Sequence, residues 1–145
     1  SVNNKSNFRN INLNSKIQDG LIDTDNTKFK WKDVADFELL ESLIFVRDGE
    51  LVLDGKLNID IKNHNKIYKF LLTPKKYRNQ IKQVNFNFTY NFDQKIAELK
   101  DFKIDNKIDQ SVSKILNNII LKKDDLSNKI YFKNLLNEAI KSYAG

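Results

Sequence analysis

The sequence predicts an α+β fold: an antiparallel sheet of two β-hairpins separated by a short helix, with two C-terminal helices. Three observations carry this expectation. First, Leu51, Leu53, Gly55, Leu57, Ile59 and Ile61 alternate without error with Val52, Asp54, Lys56, Asn58, Asp60 and Lys62. That period of two is expected of a strand with one wet face. Second, Val84, Phe86, Phe88, Tyr90 and Phe92 alternate just as cleanly with Asn85, Asn87, Thr89, Asn91 and Asp93. Third, the period changes near the end. Val112, Ile115, Leu116, Ile119 and Ile120 keep helical spacing, and so do Phe132, Leu135, Leu136, Ala139, Ile140 and Tyr143.

Taken in order, the elements follow from local chemistry. Ser1 to Asn7 is polar and expected to fray. Phe8 to Leu13 alternates weakly, Ile17 to Asp23 is a strand candidate broken by Gly20, and Lys28 to Lys32 reads as a short strand anchored by Trp31. Phe37 to Arg47 is the first long apolar run, and Asp48-Gly49 after it is the residue pair that a type I′ hairpin turn requires. A two-residue turn there pairs Val46 with Leu51, Ile44 with Leu53, Leu40 with Leu57, Glu41 with Lys56 and Ser42 with Gly55. His64 to Leu72 follows as a helix stopped by Pro74. Past a turn at Asp93-Gln94, Tyr90 faces Ala97 and Phe88 faces Leu99. The apolar phase then slips to Phe102 and Ile104, which predicts a β-bulge near Lys100-Asp101. Asp109 or Ser111 caps the next helix, and Lys129 to Phe132 is a candidate brief strand before the last one. One domain over 1–145 is expected, with leading short strands over 1–36, a ββαββ core over 37–105 and a helical end over 106–145.

Composition excludes more than it assigns. At 145 residues and 40% hydrophobic, the chain is long enough for a real core. Without cysteine there are no disulfides, thiol nucleophiles or zinc-thiolate sites. Without methionine the chain is expected to be a processed product or part of a longer protein. One histidine, His64, supports neither a Ser/His/Asp set nor a His-rich metal site. The four glycines form no phosphate-cradling loop, and no EF-hand spacing occurs. The expectation is therefore a non-enzymatic chain with no cofactor and no metal.

Two surfaces stand out instead. Residues 1–60 carry 8 basic and 11 acidic side chains, net −3, while 61–145 carry 17 and 8, net +9. Within the second part Lys62, Lys66, Lys69, Lys75, Lys76, Arg78 and Lys82 run with no acid until Asp93. Such a block is either a solvated face or a patch for an anionic surface, phospholipid headgroups or nucleic acid. With only three arginines the nucleic-acid version is the weaker one, since base and phosphate readers use guanidinium forks. The other surface is the hairpin tip, where Leu43, Phe45 and Val52 make the second face of the sheet apolar too. Either an apolar ligand sits there, or Leu116, Ile119 or Leu136 covers it as ordinary core.

The run Phe45-Val46-Arg47-Asp48-Gly49-Glu50-Leu51-Val52-Leu53-Asp54-Gly55-Lys56-Leu57 resembles the repeated strand, Gly-turn, strand units of AsmA-like proteins. The later pair, Asn85 to Asp93 and Lys95 to Asp105, and the helix around Asn134-Leu135-Leu136-Asn137 are similar to the C-terminal part of such proteins. The resemblance spans about Phe37 to Ala144. It implies the periplasmic region of an inner-membrane-anchored protein of outer-membrane biogenesis. The partners it implies are phospholipid, a membrane surface or another envelope protein, and it transfers no catalytic residue. The family's amino-terminal membrane helix is missing here, so the anchor would lie upstream of Ser1.

Overall fold

The computed structural model describes residues 9–12, 16–18 and 21–144. The expected fraying of Ser1 to Asn7, and the break at Gly20, lie outside them. Nine strands form one antiparallel sheet: β1 (Arg9–Asn12), β2 (Lys16–Gln18), β3 (Leu21–Asp23), β4 (Lys28–Trp31), β5 (Ala35–Arg47), β6 (Glu50–Ile61), β7 (Gln83–Asn91), β8 (Ile96–Ile104) and β9 (Ile119–Leu121). The main path runs β1-β4-β5-β6-β7-β8-β9, and β3 joins β5 while pairing with β2. The helices are α1 (His64–Leu71), α2 (Gln110–Leu116), α3 (Lys123–Ser127) and α4 (Lys129–Ala144). The α+β class stands as expected, and the two hairpins are joined directly because β6 pairs with β7.

The Asp48-Gly49 turn has positive φ at both residues, 51° and 77°. It sets Val46 opposite Leu51 and Ile44 opposite Leu53, as the sequence predicts. Farther down the expected register fails. Leu39, not Leu40, faces Leu57, and Leu40 faces Lys56, because a bulge at Glu41 and Ser42 adds a residue to β5. Glu41 takes φ 49° there. Ser42 lies so close to Gly55 that a Cβ on Gly55 would sit 2.5 Å from the Ser42 Cβ. The preceding segment follows the bulge: β4 pairs with the start of β5 and β3 with its far half. Between them Asp25 accepts the Glu41 N–H at 2.8 Å, and the Thr24 hydroxyl donates to the Ser42 hydroxyl at 2.8 Å. The second bulge is where the phase slip put it: Asn85 pairs with Lys103 but Asn87 with Lys100, and Asp101 has φ 57°.

The helical end differs from expectation in two places. α2 stops at Leu116, and Ile119–Leu121 is the edge strand β9 rather than the last turn of a helix. Asn118 at φ 58° makes the break. Lys129 to Phe132 is the first turn of α4, not a strand. Caps explain the starts. Asn63 accepts the Lys66 N–H at 3.2 Å, and Asp109 accepts the Val112 N–H at 2.9 Å. Leu72 in the left-handed region ends α1.

The helices cover one face of the sheet. Tyr68, Ile81, Phe102, Ile104, Val112, Leu116 and Ala139 form the buried cluster, with Ile61, Val84 and Phe86 packed against it. The opposite face carries hydrogen-bonded polar pairs: Thr89 with Asp54 at 2.8 Å, Gln83 with Asn58 at 2.8 Å, and Asn87 with Asp101 at 2.8 Å.

Candidate functional site

The space between sheet and helices is not filled. A cavity of about 310 Å³, partly open to solvent, lies between β4 to β8 and the helices α1, α2 and α4. Its floor is the sheet, with Phe37, Ile59, Val84, Phe86 and Phe102. Its roof is Ile67, Tyr68 and Phe70 of α1 together with Leu136, Ala139, Ile140 and Tyr143 of α4. Small side chains leave the room: Ala35 and Ala139, exposed by only 1% and 6%, line opposite walls. Every polar lining group belongs to Trp31, His64, Tyr68 or Tyr143. The Tyr68 hydroxyl is already used, donating to the Asn79 carbonyl. Among the described residues no charged side chain lines the cavity.

Polar contacts outside the cavity hold its roof in place. The Asn137 amide of α4 donates to the Leu71 carbonyl at 2.7 Å and meets the Thr73 hydroxyl, which is buried. The Arg78 Nε donates to the Thr73 carbonyl at 2.8 Å. These bonds fasten the end of α1 to the middle of α4. At one margin Trp31 and Phe70 meet edge to face with centroids 5.1 Å apart, and the Lys133 ammonium lies 4.7 Å from the Phe70 centroid. Asp105 adds negative potential at Tyr68 and Tyr143, and Asp109 at Tyr143. Burial chiefly, and then Tyr143 and Asp105, push the Tyr68 phenol up to about 12. Burial, with Asp105 and Asp109, also raises that of Tyr143.

The residues singled out from sequence lie elsewhere. Leu43, Phe45 and Val52 do come together at the hairpin tip: Phe45 pairs with Val52, and Leu43 with Asp54. They occupy the face away from the helices, so Leu116, Ile119 and Leu136 do not cover them. Val52 is buried, Leu43 is 39% exposed, and Arg47 stacks over the Phe45 ring at 5.0 Å. The basic block is not a uniform free patch. Lys62 lies 3.2 Å from Asp36, and Lys66 pairs with Asp33, holding that carboxyl below the ordinary range. Arg78 is bound to Thr73, and Lys76 sits 4.9 Å over Tyr77. Lys69, Lys75 and Lys82 make no ion pair among the described residues. His64 opens α1 and meets Tyr68 edge to face at 6.0 Å. Among the described residues no cluster of metal-ligating side chains occurs. No described helix is long and apolar enough to cross a membrane.

The cavity was not foreseen from the sequence, although Trp31 and Leu136 were each noted there as apolar positions. No family model, curated protein or solved structure matches the chain.

Proposed function

We propose that this chain is a non-enzymatic module that binds an apolar ligand, an acyl chain or a molecule of similar shape, between its sheet and its helix layer. The observation that carries the reading is the uncharged, partly open cavity of about 310 Å³, within the range of about 300–1,000 Å³ usual for ligand pockets. A well-packed interior leaves few voids larger than a water molecule. The proposed site replaces the Leu43, Phe45 and Val52 tip as the seat of the ligand. The tip remains a candidate contact for an envelope partner. A periplasmic role in lipid handling, as part of an inner-membrane-anchored protein, belongs to this proposal and is supported by the AsmA-like resemblance.

The test uses N-phenyl-1-naphthylamine, a neutral fluorophore that brightens in apolar surroundings. The chain is expected to enhance its emission, and dodecanol should displace it. Native mass spectrometry of the freshly purified protein is expected to show a co-purifying lipid adduct. No enhancement in the lipid-extracted chain, together with no adduct in the fresh one, would overturn the reading.

A further inference from the structure

Acids act on one part of the cavity wall and a lysine stands at another: Asp105 reaches Tyr68 and Tyr143, Asp109 reaches Tyr143, and Lys133 lies against Phe70. At the deep end Tyr68, Val112 and Ile104 are at most 8% exposed, and Asp105 and Asp109 act on the tyrosines there. The open end is marked by the exposed lining residues Phe70, at 47%, and Leu136, at 37%. Lys133 stands at that lip, half-buried, with its ammonium 4.7 Å from the Phe70 ring and one helical turn from Leu136. Among the described residues it has no carboxylate partner within ion-pair distance. A half-buried ammonium held against an aromatic face and lacking a counter-ion attracts an anion strongly.

We propose that the ligand is a single-chain amphiphile with an anionic head, seated tail-inward with its head at the Phe70 lip against Lys133. This rests on the reading of the cavity as an apolar-ligand site and specifies its polarity. The tail displaces no charged group among the described residues, since none of these lines the cavity. The head stays in water at the mouth, where the attraction to Lys133 needs no burial of either charge. Reversed entry would bring an anion toward Asp105 and Asp109, which repel it.

The experiment compares dodecanoate with dodecanol, equal in chain length and different in head charge, by displacement of N-phenyl-1-naphthylamine. Dodecanoate is expected to bind about two- to fivefold tighter, the gain of one ion pair at a solvated mouth. Lys133→Gln should abolish that preference and leave dodecanol affinity unchanged. Lys107→Gln, a charge deletion away from the mouth, should leave both affinities as they were. Raised ionic strength should weaken dodecanoate only. Equal affinities in the unaltered chain, or a preference that survives Lys133→Gln, overturn the proposal while the apolar site stands. Failure of both ligands to displace the fluorophore overturns the site along with it.

Discussion

Ala139→Leu separates an open ligand cavity from a tightly packed core by the sign of a stability change. Ala139 is 6% exposed on α4 and lines the cavity. Leucine adds three carbons at a position where helix propensity changes little. If those carbons enter free space, each contributes about 0.8 kcal/mol of burial, while ordering the side chain costs about 0.5–1 kcal/mol. The net is a gain of about 1.5 kcal/mol. For a chain of this size that raises the melting temperature by about 3–6 °C. If the roof instead packs closely on the sheet, the added carbons strain it, and stability falls by about 1–3 kcal/mol. The assay is thermal unfolding followed by circular dichroism, with and without dodecanol. The unaltered chain should melt higher with ligand, and the variant should melt higher without it and gain little more. A variant that melts lower than the parent refutes the reasoning. So does one that melts higher and still gains the full ligand shift.

Three further outcomes follow from particular residues. Gly55→Ala forces a Cβ to within 2.5 Å of the Ser42 Cβ and 3.0 Å of its Cα, costing about 1–3 kcal/mol. Gly49→Ala, at φ +77° but with nothing within 4 Å, costs about 1 kcal/mol; Gly55→Ala should be the more destabilising of the two in urea melts, and the reverse order would contradict the bulge geometry. Tyr68 has a phenol raised from 10.0 to about 12. Its neutral form therefore contributes stability that is complete below pH 10 and lost as pH rises toward 12. Phenolate absorbance should show Tyr68 and Tyr143 titrating late, and Tyr68→Phe should remove one of the two late steps and lose less stability over that interval. Asp109→Ala removes the acceptor of the Val112 N–H at 2.9 Å and should cost about 1 kcal/mol in the same urea melts, leaving dodecanol affinity within twofold.

Much of the sheet was legible because one of its faces is wet. Leu51 to Lys62 and Val84 to Asp93 carry their orientation in strict alternation, and the phase slip to Phe102 and Ile104 betrayed the bulge at Lys100-Asp101. The bulge at Glu41 and Ser42 left no such mark. Leu39 and Leu40 before it are both apolar, as are Leu43 and Ile44 after it, so a shift by one residue reads the same either way. Gly55 was the available clue, since a strand glycine often marks a close backbone approach. β9 was missed because Ile119-Ile120-Leu121 continues a helical stripe, and short apolar runs do not distinguish helix from strand. The cavity could not be read locally. Its walls come from Ala35, Phe86 and Ala139, and the meeting of Phe70 with Lys133 joins positions far apart in the chain.

The strand order has a consequence for how the chain folds. From β4 to β9 each strand lies beside the next one in sequence. Pairings between sequence neighbours close short loops, so the sheet can zip outward from the Asp48-Gly49 hairpin at low entropic cost. The roof is different. α1 leaves the chain between β6 and β7, whereas α4 begins at Lys129, well after β8 ends at Ile104. Sheet pairing from β4 to β8 needs none of α4, so we expect the sheet to form first, with the face bearing Phe86 and Phe102 still bare. Refolding followed by N-phenyl-1-naphthylamine should show emission that overshoots early and then decays as α4 docks. An added fatty acid should bind that bare face and shorten the overshoot, a second route of loading beside entry through the open mouth.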